Sequence, residues 1–144
     1  MLKPFLLLSA ASLFALSPAL IQAAGSQDAA QAPAASHAGA PNPVKPTAET
    51  QAKAKTLYGI DCAMCHGDNG SGQTDLAKSM SLTMVDFTNG KAMSAKTDGD
   101  LFDIIRNGKD KMPPESSGRA SDTVVWNLIL YIRKMAGSAA PAAQ

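Results

Sequence analysis

The sequence predicts an all-α fold, on three observations. Three segments carry apolar residues at helical spacing behind a residue suited to cap a helix: Thr47, Thr97 and Ser121. No stretch shows a convincing strand pattern. The pieces between are dense in turn formers, as in Gly67-Asp68-Asn69-Gly70-Ser71-Gly72 and in Gly108 to Gly118, which contains Met112-Pro113-Pro114.

The first predicted helix starts near Thr47 and runs through Glu49, Ala52, Ala54, Leu57 and Tyr58, leading directly into Cys62. The second starts at Thr97. Asp100 stands three residues on, an acidic variant of the capping box. Leu101, Ile104 and Ile105 are its expected buried stripe, and Asn107-Gly108 ends it. The third runs from Ser121 to Met135, with Val124, Val125, Leu128, Ile129 and Ile132 on one broad face. Leu128 to Ile132 alone suits a strand, but the length of the segment and its cap favour a helix.

These helices place one folded domain at residues 47–136 of the 144. A domain of that size has a thin core, and a buried cofactor would supply apolar bulk. Residues 1–24 read as a signal peptide: a basic Met1-Leu2-Lys3-Pro4, an apolar run from Phe5 to Leu16, and small residues toward Ala24. The run falls short of the roughly 20 residues needed to span a bilayer. Residues 25–46, rich in Ala, Pro, Gln and Ser, are expected to be a flexible linker with His37 solvated within it, and residues 137–144 a similar tail. Removing Lys3 with the signal leaves 12 basic against 12 acidic residues, a balance that argues against nucleic acid and against a strongly charged docking face.

Cys62-Ala63-Met64-Cys65-His66 is the chemically decisive segment, and it holds both cysteines of the chain. Cys-x-x-Cys-His is the attachment signature of c-type haem. Two cysteines three apart share one side of a helical turn, so each sulfur can form a thioether to one vinyl group of a single porphyrin. The histidine is then held beneath the ring to ligate iron. Export suits this chemistry, since haem is joined to such thiols outside the cytoplasm in bacteria. A thiol–disulfide pair would want a βαβ context, and a zinc site two further ligands; the sequence offers neither.

The second axial position decides the chemistry. The candidates are Met80, Met84, Met93, Met112 and Met135. Met112 is favoured because it stands in a loop before two prolines that stiffen the backbone. A lone methionine is usually a packing residue, and Met84 or Met135 suits that role.

With these pieces in order, the chain resembles a small class I c-type cytochrome from about Ala52 to Met135. "AKAKTLYGIDCAMCHGDNGSG" resembles the first helix, haem turn and glycine loop. "DFT" resembles the approach to the distal side, "LFDIIRNGKDKMPP" the middle helix and methionine loop, and "VVWNLILYIRKM" the last helix. The resemblance implies an all-α cytochrome c fold, three main helices plus loops wrapped around one covalently bound haem. Ala54 would then sit where the first and last helices cross, with Tyr58 and Tyr131 packed around it. One departure stands out. Many relatives have a proline soon after the motif whose carbonyl accepts the histidine's Nδ1 proton, and no proline lies between His66 and Met112. A carbonyl within Leu76 to Leu82 is the expected substitute.

The function so implied is a periplasmic electron carrier, not an enzyme. One haem c would be held by Cys62 and Cys65, with His66 and Met112 on its iron, and the protein would be a monomer with no membrane span after signal removal. Its partners would be redox proteins met over a small interface. The alternative is a dedicated haem subunit, or electron acceptor, of a periplasmic dehydrogenase or terminal oxidase. A haem peroxidase or gas sensor would require Met112 to be absent from iron or easily displaced.

Overall fold

The structure is a computed structural model, and it describes residues 36–137. The expected signal peptide, half of the linker and all but the first residue of the expected tail lie outside them. Six helices follow in order: α1 (Ala48–Leu57), α2 (Ala63–His66), α3 (Asp75–Ser79), α4 (Gly90–Ser94), α5 (Asp98–Asn107) and α6 (Asp122–Met135). Among the described residues there is no strand, only an isolated antiparallel bridge between Lys109 and Met112.

Local chemistry sets the helix starts. Thr47 and Thr50 cap α1 reciprocally, each side chain accepting from the other's backbone amide. Thr97 and Asp100 do the same for α5, which ends at Gly108 with φ 75°. Ser121 occupies the cap position of α6 without a side-chain hydrogen bond. The short α3 and α4 are capped by Thr74 and Asn89.

The core forms where α1 and α5 pack on α6. Ala54 is fully buried, and its small side chain lets the helices approach. Beside it the Tyr58 and Tyr131 rings meet with centroids 5.5 Å apart. On the other flank Phe102 stacks on Trp126 at 4.3 Å. Phe102 and Ile105 are the buried apolar side chains of α5, whereas Leu101 and Ile104 are only half-buried. The expected stripe was rotated, because Phe102 has Trp126 to fill against. A buried ion pair of Asp98 with Arg133, at 2.8 Å, joins α5 to α6.

His37 is not solvated. Its ring packs on Phe102 (4.4 Å) and Trp126 (5.6 Å), and both its backbone amide and Nδ1 meet the Asp103 carboxylate. Residues 36–46 thus form an arm laid on α5 and α6. Gly99 N–H donates to the Ala40 carbonyl (3.0 Å), Asn42 donates to the Trp126 carbonyl (3.0 Å), and Val44 packs on the core. The physical reason is a missing side chain: a Cβ at Gly99 would collide with the His37 carbonyl oxygen. Backbone contact therefore compensates for the low apolar content of the arm.

Candidate haem site

Cys62, Ala63, Met64, Cys65 and His66 form one continuous turn. A π-turn, Tyr58–Cys62, widens the chain between α1 and α2, a device common at functional sites. The Tyr58 hydroxyl donates to the Gly67 carbonyl at 2.6 Å, so this buried side chain spans the motif from the turn before it to the residue after it. Gly67, with φ 78°, ends α2, and the carbonyls left free there are taken up. Gly72 N–H donates to the His66 carbonyl (2.8 Å), and the Thr74 hydroxyl to the Cys65 carbonyl (3.2 Å).

Both cysteines are free and half-buried. Burial first, then the carboxylates of Asp61 and Glu115 and the nearby Cys65, push the Cys62 thiol up to about 12. A thiol held protonated at neutral pH is a poor nucleophile and a poor metal ligand. A thioether sulfur carries no charge, so it suits the same buried place. Burial also lowers the His66 pKa, which favours the neutral imidazole that binds iron.

Phe87 is a site residue that sequence reasoning missed. Its ring lies on the His66 imidazole, centroids 4.5 Å apart and planes 14° from parallel. The Phe87 amide donates to the Gly70 carbonyl at 2.7 Å. This corrects the reading of "DFT" as the distal approach, since the segment folds back onto the histidine side. The one hint in the sequence was an aromatic shortly after a glycine-rich loop able to receive it. No carbonyl from Leu76 to Leu82 serves the imidazole: His66 Nδ1 is buried without a hydrogen-bond partner among the described residues. The carbonyls of Leu76, Ala77 and Lys78 are taken by Met80, Leu82 and Ser81 N–H groups.

Met112 lies on a separate loop after α5, as expected, half-buried and packed on the core. Its amide and carbonyl both pair with Lys109 (2.8 and 3.1 Å). That loop is tied back to the cysteine turn through Arg119, which pairs with Asp61 and lies 3.6 Å from Glu115. Met93 is fully buried and Met80 exposed, while Met135 packs on the core.

The residues present fit haem c. Two thiols share one turn, a half-buried imidazole that burial shifts toward its neutral form follows them, and a thioether stands on a braced loop tied to that turn. Among the described residues no group of three or more His, Cys, Asp or Glu could hold a metal ion, so the half of a zinc site that Cys-x-x-Cys offers is not completed there.

The chain's relatives agree with this chemistry. A family model described as cytochrome C oxidase, cbb3-type, subunit III, matches residues 49–132. Over 85 residues the chain is 31% identical to the cbb3-type cytochrome c oxidase subunit CcoP of Azospirillum brasilense, covering 59% of this chain and 28% of that protein. It is 26% identical over 85 residues to subunit FixP of Azorhizobium caulinodans, covering 59% and 27%. The chain therefore spans less than a third of the length of these curated relatives. Among solved structures it is similar to the KustC0563 c-type cytochrome, with TM-score 0.50, 22% identity, and coverage of 57% of this chain and 95% of that one. A chain of the Kuenenia stuttgartiensis reducing HAO-like protein complex Kustc0457/Kustc0458 matches with TM-score 0.50 and 27% identity, over 65% and 46%. The all-α cytochrome c fold is thereby established.

Proposed function

The chain belongs to the family cytochrome C oxidase, cbb3-type, subunit III, and from that premise we propose that it is a single-haem carrier passing electrons one at a time between redox proteins. A cytochrome c domain carries covalent haem c, which supplies the Fe(II)/Fe(III) couple. The residues proposed to hold it are Cys62 and Cys65 by thioethers, with His66 and Met112 as axial ligands. The carrying observation is the Cys62–His66 turn itself, two half-buried thiols on one turn followed directly by a half-buried imidazole that burial shifts toward its neutral form. Each neighbour has a task in this reading. Tyr58 pins the cysteine turn, Phe87 limits rotation of the imidazole, and the braced loop keeps Met112 available. Met/His ligation keeps the iron saturated and raises its potential, which suits electron transfer over oxygen chemistry.

A redox titration followed by the haem spectrum tests this reading. The expected result is one reversible one-electron wave from haem that survives denaturing extraction. Met112→Ala is expected to lower the midpoint potential and abolish the sulfur-to-iron charge-transfer band. Absence of covalent haem, or an unchanged potential in Met112→Ala, would overturn it.

Both curated relatives are subunits of cbb3-type oxidases, and this favours a second reading as a dedicated haem subunit of a terminal oxidase. Recovery of the protein with an oxidase in mild detergent would support it, and exchange of electrons with free carriers alone would count against it. Among the described residues no helix is long and apolar enough to cross a membrane. Placement in the periplasm rests on removal of residues 1–24, which an intact mass of the exported protein checks.

A further inference from the structure

One guanidinium fastens the loop that carries Met112. The Arg106 side chain, at the end of α5, is only 7% exposed. Its Nη1 donates to the Glu115 carbonyl at 3.0 Å. Its Nη2 donates to the Ala120 carbonyl and to the Asp122 carboxylate, each at 2.7 Å. Glu115 N–H in turn donates to the Ile105 carbonyl at 2.8 Å. The guanidinium carbon lies 5.5 Å from the centre of the Phe102 ring, which supports the fork from below.

Little freedom remains between this clamp and Met112. Only Pro113 and Pro114 separate Met112 from Glu115, and their rings fix φ. On the other side Met112 is paired with Lys109, and the turn is closed at Gly108, where a Cβ would lie 2.5 Å from the Met112 carbonyl oxygen. Holding the Glu115 carbonyl therefore holds the Met112 backbone.

We propose that Arg106 is a positioning residue for Met112: its two-pronged grip on Glu115 and Ala120 sets where the thioether stands and how firmly it stays on iron. The inference rests on the reading of Met112 as the axial ligand. A lysine at this place keeps the charge but lacks the planar fork needed to serve both carbonyls. The second tie of the loop, Arg119 to Asp61, is weaker because the Arg119 side chain is 58% exposed.

The test uses the holoprotein and exogenous imidazole, which binds ferric iron only when the methionine leaves it. Its apparent affinity therefore reports the open fraction. In Arg106→Lys and Arg106→Gln the imidazole dissociation constant is expected to fall at least tenfold, with weakening of the sulfur-to-iron band. Asp122→Asn removes only the exposed end of the grip and is expected to change it less than twofold. Gly99→Ala strains the opposite end of α5, and its imidazole affinity should equal that of the wild type. Unchanged affinity in Arg106→Lys overturns the proposal. So does failure of Arg106→Lys to assemble as holoprotein, which would make the role one of folding. A wild type without the sulfur-to-iron band would instead overturn the assignment of Met112 itself.

Discussion

The Phe87 ring covers the His66 imidazole in a near-parallel stack, 4.5 Å between centroids. Phe87 is buried and held by its backbone bond to Gly70, so it restrains the imidazole from a fixed base. Two effects of mutation should therefore separate. Phe87→Leu keeps apolar volume and is expected to cost less than about 1.5 kcal/mol. Phe87→Ala opens a cavity and is expected to cost about 3–5 kcal/mol in urea unfolding. Both remove the flat partner, so both should alter the ferric low-spin resonance spectrum. An unaltered spectrum in Phe87→Leu would mean that the stack does not orient the imidazole.

The pair of Asp98 and Arg133 is a second point of dependence. Both side chains are 3% exposed, and Arg133 also donates to the Met93 and Lys96 carbonyls, drawing α4 and α5 onto α6. Removing one partner strands a buried charge, which typically costs about 3–5 kcal/mol. Arg133→Ala and Asp98→Ala should each lose that much by denaturant titration. A loss under about 1 kcal/mol would show that water enters and solvates the remaining charge.

The arm at residues 36–46 should respond to acid. Burial acts to raise the Asp103 carboxyl, but hydrogen bonds from the His37 amide, Ser36 and the His37 ring outweigh it and leave the pKa below its usual value. A carboxylate lowered on folding contributes stability above its unfolded pKa, about 3.9, and loses it as pH falls through the lower folded value. Slow amide exchange at His37 and Gly99 is thus expected from neutral pH down to about 4, with release of the arm below. Release already at mildly acidic pH would assign the docking to another group. Gly99→Ala should release the arm at every pH, because its Cβ would occupy the place of the His37 carbonyl.

What could be read in advance was local or covalent. The caps at Thr47 and Thr97 involve residues three apart, and the haem turn is dictated by the geometry of one porphyrin. Phe102, Phe87 and Arg106 escaped because their roles depend on distant partners. Phe102 is buried because Trp126 and His37 meet it, and Phe87 reaches His66 through a backbone bond to Gly70. Arg106 looks like an ordinary basic residue in the last turn of a helix until the Glu115 and Ala120 carbonyls are seen to converge on it. Helices α3 and α4, five residues each, are too short for periodicity to register. The arm was misjudged because composition measures apolar content, whereas its docking is made by backbone groups on a glycine.

Gly70 leaves no room for a side chain beside the ring that covers His66. Its φ is 79°, a conformation that costs an L-residue about 1–2 kcal/mol. A Cβ there would lie 2.9 Å from the Phe87 Cβ and 2.7 Å from the Met135 sulfur. The sulfur ends a flexible side chain and can swing away, but the Phe87 Cβ is fixed by the backbone. Gly70→Ala is therefore expected to cost about 2–4 kcal/mol, combining backbone strain with overpacking. It should also shift the low-spin spectrum in the same direction as Phe87→Leu, since both disturb the stack. Adding Met135→Ala relieves only the contact with sulfur, so the double variant should recover less than half of the stability and none of the spectrum. Full recovery of both would place the strain at Met135 and remove Gly70 from the support of the histidine.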